Sequence, residues 1–187
     1  MKNSVEITVR YQFLRILLMQ AAASGIALLF GIVAFWYFLN MSIVKEFLSV
    51  IFMTVNFAML YSSAKTFAKL DNKPYTPLKP NKMKGVMFGC MVALVTLIIT
   101  AAFKIMWLKF GNDTGVEGAV PAIINMLFYY WSFPFNGILG LNAGRFMIYT
   151  VPVMIVVPIA ATSIGYMAGC KNFNISEKIN EFMYEKE

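Results

Sequence analysis

Apolar residues in this chain gather into long uninterrupted runs, with the charged residues pushed to the gaps between them. Four runs reach the roughly 20 residues that a helix needs to cross the hydrocarbon of a bilayer. They cover positions 16–39, 43–64, 86–107 and 146–168. Lys45 and Glu46 sit near the start of the second, and Pro152 and Pro158 interrupt the fourth. Spanning helices tolerate proline where neighbours re-satisfy the freed backbone groups. The pattern therefore predicts an all-α integral membrane protein, a single transmembrane domain over 1–187 with four spans.

A fifth apolar piece, "AVPAIINMLFYYWSFPFNGILGLNAG" at 119–144, is broken by Pro121, Pro134, Gly137, Gly140 and Gly144. Its cluster Phe128, Tyr129, Tyr130, Trp131, Phe133 and Phe135 suits the headgroup zone, where aromatic rings gather. The breakers favour a segment that dips into the membrane and returns, or lies at its surface; five spans is the alternative. At the N-terminus, "VEITVRY" fits either a short strand or an extension of the first helix.

Composition sharpens the choice of solvent. The 187 residues are 59% hydrophobic and 13% charged, whereas soluble domains run near half apolar and a quarter charged. The N-terminus has no early apolar core followed by a small-residue cleavage site, so it does not read as a removable secretion signal. Histidine is absent, which removes the commonest general base and metal ligand. Cys90 and Cys170 are too few for a disulfide framework or a zinc site. No Gly-rich phosphate loop, nucleophile elbow or metal-ligand spacing occurs, so no cofactor, metal or catalytic residue is expected.

The formal net charge of +7 follows the spans rather than nucleic acid. Short loops rich in Lys and Arg stay cytoplasmic. The basic loop 65–84 carries Lys65, Lys69, Lys73, Lys79, Lys82 and Lys84, the N-terminal segment Lys2, Arg10 and Arg15, and the tail Lys171, Lys178 and Lys186. With four spans these share one side, and Lys45, Lys104, Lys109 and Arg145 take the other, which predicts cytoplasmic N- and C-termini. Pro74, Pro77 and Pro80 recur every third residue, stiffening the loop into an extended strip able to face anionic lipid or a protein partner. In the tail at 174–187, Ile175, Ile179, Phe182 and Met183 share a helical face. Asn174 and Glu177 form a capping pair there.

Within the spans, small residues four apart allow close helix approach: Ala23, Ala27 and Gly31 in the first, Gly85 and Gly89 in the third, Ala161, Gly165 and Gly169 in the fourth. The phrases "GVMFGC" and "GYMAGC" fall at the same depth on antiparallel helices, so those ends are expected to touch. Lys104 is close enough to a helix end to snorkel. Thr54, Asn56, Thr96, Thr100 and Asn125 are neutral polar groups inside apolar segments. They either bond between helices or line a small polar cavity beneath the broken segment, as in transporters with discontinuous helices.

"NKMKGVMFGCMVAL" and "GYMAGCKNFNISEKI" resemble the ends of small multi-span membrane proteins from low-GC Gram-positive bacteria. That group has no assigned activity, so the resemblance implies a bacterial cytoplasmic membrane and brings no site residues. The first functional expectation is a non-enzymatic accessory or assembly subunit, acting through a membrane or cytoplasmic protein partner or as a homo-oligomer in the lipid bilayer, without nucleic acid. The second is a small solute transporter, channel or substrate-binding membrane component. A membrane enzyme, working near Lys45, Glu46, Asp113 or Glu117, ranks third.

Overall fold

The computed structural model describes residues 9–37, 42–73, 80–81, 83–110, 119–135 and 146–171. The tail 172–187, the loop lysines Lys79 and Lys82, the prolines Pro74 and Pro77, and positions 136–145 lie outside the described residues, as do Asp113 and Glu117. Within them the chain is all-helical: α1 (Val9–Tyr37), α2 (Ser42–Asp71), α3 (Met83–Phe110), α4 (Ala119–Ser132) with a terminal 3₁₀ turn (Phe133–Phe135), and α5 (Phe146–Cys170). Four of the helices, α1, α2, α3 and α5, are long and apolar enough to cross a membrane. Helix α1 begins at Val9, so the later part of "VEITVRY" extends the first helix.

Helix α4 is different. Its 14 residues give a length of about 21 Å at 1.5 Å per residue, short of the roughly 30 Å hydrocarbon core. Its outward residues Val120, Ile123 and Met126 are exposed, while Phe128, Trp131 and Ser132 are buried. Among the described residues there are thus four long helices and one short inserted helix, which is itself too short to be a fifth span.

Helix α5 lies between α2 and α3 and makes the largest contacts in the bundle. Glycine makes both seams possible. A Cβ on Gly85 would strike the Cβ of Tyr166 and the carbonyl of Thr162, and one on Gly89 would strike the backbone of Ile159. The N-terminal end of α3 and the C-terminal half of α5 therefore touch, but their glycines do not face one another. Gly165 and Gly169 point instead at the backbone of α2, at Tyr61 and Lys65. Each ladder opens a path for a different neighbour. Ala161 is fully buried in the core, and Ala23 and Ala27 are buried on α1. Gly31 makes room for the ring of Phe133 rather than for another long helix.

Helix α5 continues through Pro152 and Pro158. The outward faces of the long helices carry exposed Leu18, Leu29, Phe47, Leu97, Ile98 and Val156, a surface suited to lipid. The core is built on Leu60, Phe67, Phe88, Val92, Trp131, Phe135, Met154 and Tyr166.

Because the obstacle at Gly165 is α2 backbone rather than a flexible side chain, Gly165→Ala is expected to destabilise the detergent-solubilised protein by about 1–3 kcal/mol, the usual cost of overpacking. Cys90→Ala, at an exposed position, is expected to stay within about 0.5 kcal/mol of the parent. Thermal unfolding of the two variants side by side checks both.

Candidate functional site

Two polar assemblies stand out against this apolar bundle. The first closes one end. Asp71 is the last residue of α2 and is buried. Its Oδ2 accepts the Lys84 ammonium at 2.6 Å and the Tyr166 hydroxyl at 2.6 Å. Its Oδ1 accepts the Gln12 amide at 2.9 Å. One carboxylate thereby ties α2 to α1, α3 and α5. Its position is electrostatically divided: the C-terminus of α2 repels an anion, whereas the N-terminal turn of α3, which carries Lys84, attracts one. Asn81 starts α3 by accepting the Met83 amide proton at 3.0 Å on its side chain, a cap of the usual Asn type. Asn72 donates to the Cys170 carbonyl at 3.1 Å, supplying a partner at the C-terminus of α5, where helical carbonyls otherwise lack one.

The second assembly is where α4 ends. A helix that stops inside a bundle leaves its last carbonyls without intrahelical partners, and in hydrocarbon these must be satisfied by protein. Ser24 of α1 donates to the Trp131 carbonyl at 3.3 Å, and Ser49 of α2 donates to the Pro134 carbonyl at 3.3 Å. The Trp131 indole donates to Thr96 at 2.9 Å, and Thr96 in turn donates to the Val92 carbonyl at 2.9 Å. The Tyr130 hydroxyl donates to the Ala21 carbonyl at 2.6 Å, in the space left by Gly25. Phe128 stacks on Phe103 with ring centroids 4.1 Å apart. Counted along α1 from Gln12 and along α3 from Lys84, the contacts of Trp131 both lie about 18 Å from the Asp71 clamp. Two helices agree that α4 stops part-way through the bundle.

Around that stopping point several buried polar atoms have no hydrogen-bond partner. They are both side-chain atoms of Asn56, Gln20 Oε1, Thr100 Oγ1 and Ser132 Oγ; Gln12 Oε1 at the Asp71 clamp and Ser163 Oγ on α5 are unpartnered as well. Asn56 is 0% exposed. Gln20 lies one turn from Ser24, Asn56 two turns from Ser49 and Thr100 one turn from Thr96, so each shares a helix face with a residue that holds α4.

Of the five polar residues expected to line an interior, Asn56, Thr96 and Thr100 are buried. Two are corrected. Thr54 is exposed, because its hydroxyl is satisfied within its own helix by the Val50 carbonyl at 2.8 Å. Asn125 is exposed on α4, whose inward side is taken by Phe128 and Trp131. Lys84 is also corrected: it does not face lipid or a partner but is buried in the ion pair with Asp71. Lys69 and Lys73 are exposed and Lys65 half-buried, its ammonium over the Tyr61 ring at 5.8 Å. Lys104 reaches the Trp107 ring at 4.7 Å, one turn toward the helix end. Among the described residues no group of His, Cys, Asp or Glu could hold a metal ion.

The fold and these assemblies define a multi-pass membrane protein of the all-α class. The chain matches no family model, no curated protein and no solved structure.

Removing one partner of a buried ion pair costs about 3–5 kcal/mol because the other charge is left uncompensated. Asp71→Leu, which strands Lys84 and also removes the acceptor of Tyr166 and Gln12, is expected to fall in that range. Asp71→Leu combined with Lys84→Met is expected to cost clearly less than the sum of the single changes. A double-mutant cycle on unfolding in detergent reads the coupling.

Proposed function

We propose that the protein is a non-enzymatic multi-span component of a bacterial cytoplasmic membrane that binds a small solute part-way across the bilayer and works with a protein partner. The observation that carries this reading is the inserted helix α4, which stops part-way through the bundle, held by Ser24, Ser49 and Thr96. Broken helices at such depth are how membrane proteins bring polar groups to a solute. Backbone that departs from a continuous helix is tolerated there only when enclosed by protein or lining a polar space.

The partner belongs to the same reading. Exposed Lys69 and Lys73 at the Asp71 end offer such a partner a charged face. Orientation follows the charges. Arg10, Arg15, Lys65, Lys69, Lys73, Lys84 and Lys171 lie toward the Asp71 end, while Lys104 and Lys109 lie toward the opposite end. By the positive-inside rule this split supports a cytoplasmic Asp71 end, the orientation in which both termini are expected inside.

Affinity purification of the full-length chain in mild detergent is expected to recover a stoichiometric companion. A clean isolated monomer under several mild conditions would count against the subunit reading. Impermeant thiol labels at cysteines introduced for Lys73 and Lys171 are expected to report the same, cytoplasmic face; labelling from opposite faces contradicts the orientation.

A further inference from the structure

We infer that the outer groove between α2 and α5 at the Asp71 end binds an anionic phospholipid, with Lys65, Lys69 and Lys171 taking its phosphate. This needs neither the solute nor the protein partner of the reading above. Contacts between the two helices bring the three cations together. Lys65 and Lys69 are one turn apart on α2 and are therefore neighbours. Gly169 of α5 packs against the Lys65 backbone. Farther along, Asn72 donates to the Cys170 carbonyl at 3.1 Å, and Lys171 is the next residue, exposed where α5 ends.

The side of α2 that carries these lysines is polar where a spanning helix meets lipid. Ser62, Lys65, Thr66 and Lys69 share it by their spacing, and Ser62, Thr66 and Lys69 are exposed. The opposite side carries buried Leu60, Ala64, Phe67 and Asp71. Asp71 is the only acid among the described residues at this end, and it is held by Lys84, Tyr166 and Gln12. The Lys65 ammonium does not reach for the helix end as a snorkelling lysine does. It lies over the Tyr61 ring at 5.8 Å, one turn deeper, beside the backbone on which Gly165 packs. Positive charge thus stands in the groove with no carboxylate of the described chain against it, and charge at a lipid-facing position is costly until it is paired.

The order of groups along the groove is that of a phospholipid. Counted along α2 from Asp71, Lys69 and Lys65 lie about 3 and 9 Å in, and Ser62 about 14 Å. Exposed Val55 and Ile51 follow on the same side at about 24 and 30 Å. On α5, exposed Ile164 lies about 10 Å in from Lys171. The cations meet a phosphate, the Ser62 hydroxyl can donate to an ester carbonyl, and the apolar residues meet acyl chains. Thr66 already donates to the Ser62 carbonyl at 2.9 Å. A soluble phosphate would satisfy the lysines and leave the apolar part of the groove unused. Basic pockets between spanning helices hold anionic headgroups on this principle.

Thermal unfolding of the full-length protein in nanodiscs tests the inference. Discs of phosphatidylcholine alone are compared with discs of equal parts phosphatidylcholine and phosphatidylglycerol. Phosphatidylglycerol is expected to raise the melting temperature by a few degrees, because a ligand of the folded state stabilises it. Inorganic phosphate added to the phosphatidylcholine discs is expected to give no rise. Lys65→Gln combined with Lys69→Gln is expected to melt as the parent does in phosphatidylcholine and to lose the rise, whereas Lys65→Arg with Lys69→Arg keeps it. Lys171→Gln, at an exposed position, gives a second reading and is expected to reduce the rise. Arg10→Gln with Arg15→Gln removes the same charge from exposed positions on α1 at the same end and is expected to keep the rise. No rise in the parent, a rise that survives both the glutamine pair and Lys171→Gln, or a rise lost equally in the α1 pair overturns the site. An equal rise with inorganic phosphate overturns the lipid in favour of a soluble anion. Glutamine in place of Glu177, Glu181 and Glu185 is expected to leave the rise unchanged; a rise that appears only in that variant would give the groove to the chain's own tail and overturn the lipid site.

Discussion

The Asp71 carboxylate is the joint on which the bundle turns. Hydrophobic burial cannot order helices against one another when the surrounding solvent is itself hydrocarbon, so packing and polar contacts must do so. Close approach through Gly85, Gly89, Gly165 and Gly169 sets the seams of α5 against α3 and α2. Those seams permit sliding and rotation unless something fixes the register. The hydrogen bonds from Gln12, Lys84 and Tyr166 to a single buried carboxylate fix all four long helices at one height. Each donor supports the others, since the anion is tolerable only while all are present.

From that fixed end the bundle changes character along its length. Near Asp71, Asn81 caps α3 and Asn72 finishes α5, although Gln12 Oε1 stays without a partner. Part-way up, the inserted end of α4 takes its support from Ser24 and Thr96, and the turn that follows it takes a donor from Ser49 nearer the opposite end.

Most of the architecture was legible because it depends on run length. Apolar stretches near 20 residues leave little choice in a bilayer, and the four long helices follow from them. The end of α4 was legible from Pro134, which falls in the turn that closes it, whereas Pro121 sits inside the helix without breaking it. The Asp71 clamp was not. In "KLDNKPYTPLKP" a single acid among lysines reads as loop charge, and nothing local says that its carboxylate turns inward. The available signal was the placement of Asp71 and Lys84 at the facing ends of consecutive apolar helices, with Gln12 and Tyr166 as isolated polar groups near the same end of theirs. Thr54 and Asn125 show the converse difficulty. Polarity within a span does not reveal which face a residue occupies, and a threonine that bonds its own helix can sit against lipid at little cost. The glycine ladders located close contacts but not their partners, because spacing along one helix says nothing about which neighbour fills the groove.

The serines beneath α4 also bear on how the chain is made. A nascent segment leaving the translocon can rest in lipid only if its backbone polar groups are satisfied within itself. The four long helices satisfy most of theirs unaided. The carbonyls of Trp131 and Pro134 instead take donors from Ser24 and Ser49, which belong to α1 and α2 and have already been synthesised when α4 emerges. Helix α4 is thus committed to its place by earlier parts of the polypeptide. Its docking is a step of tertiary assembly rather than of insertion, and chain order matches the order in which the donors are needed.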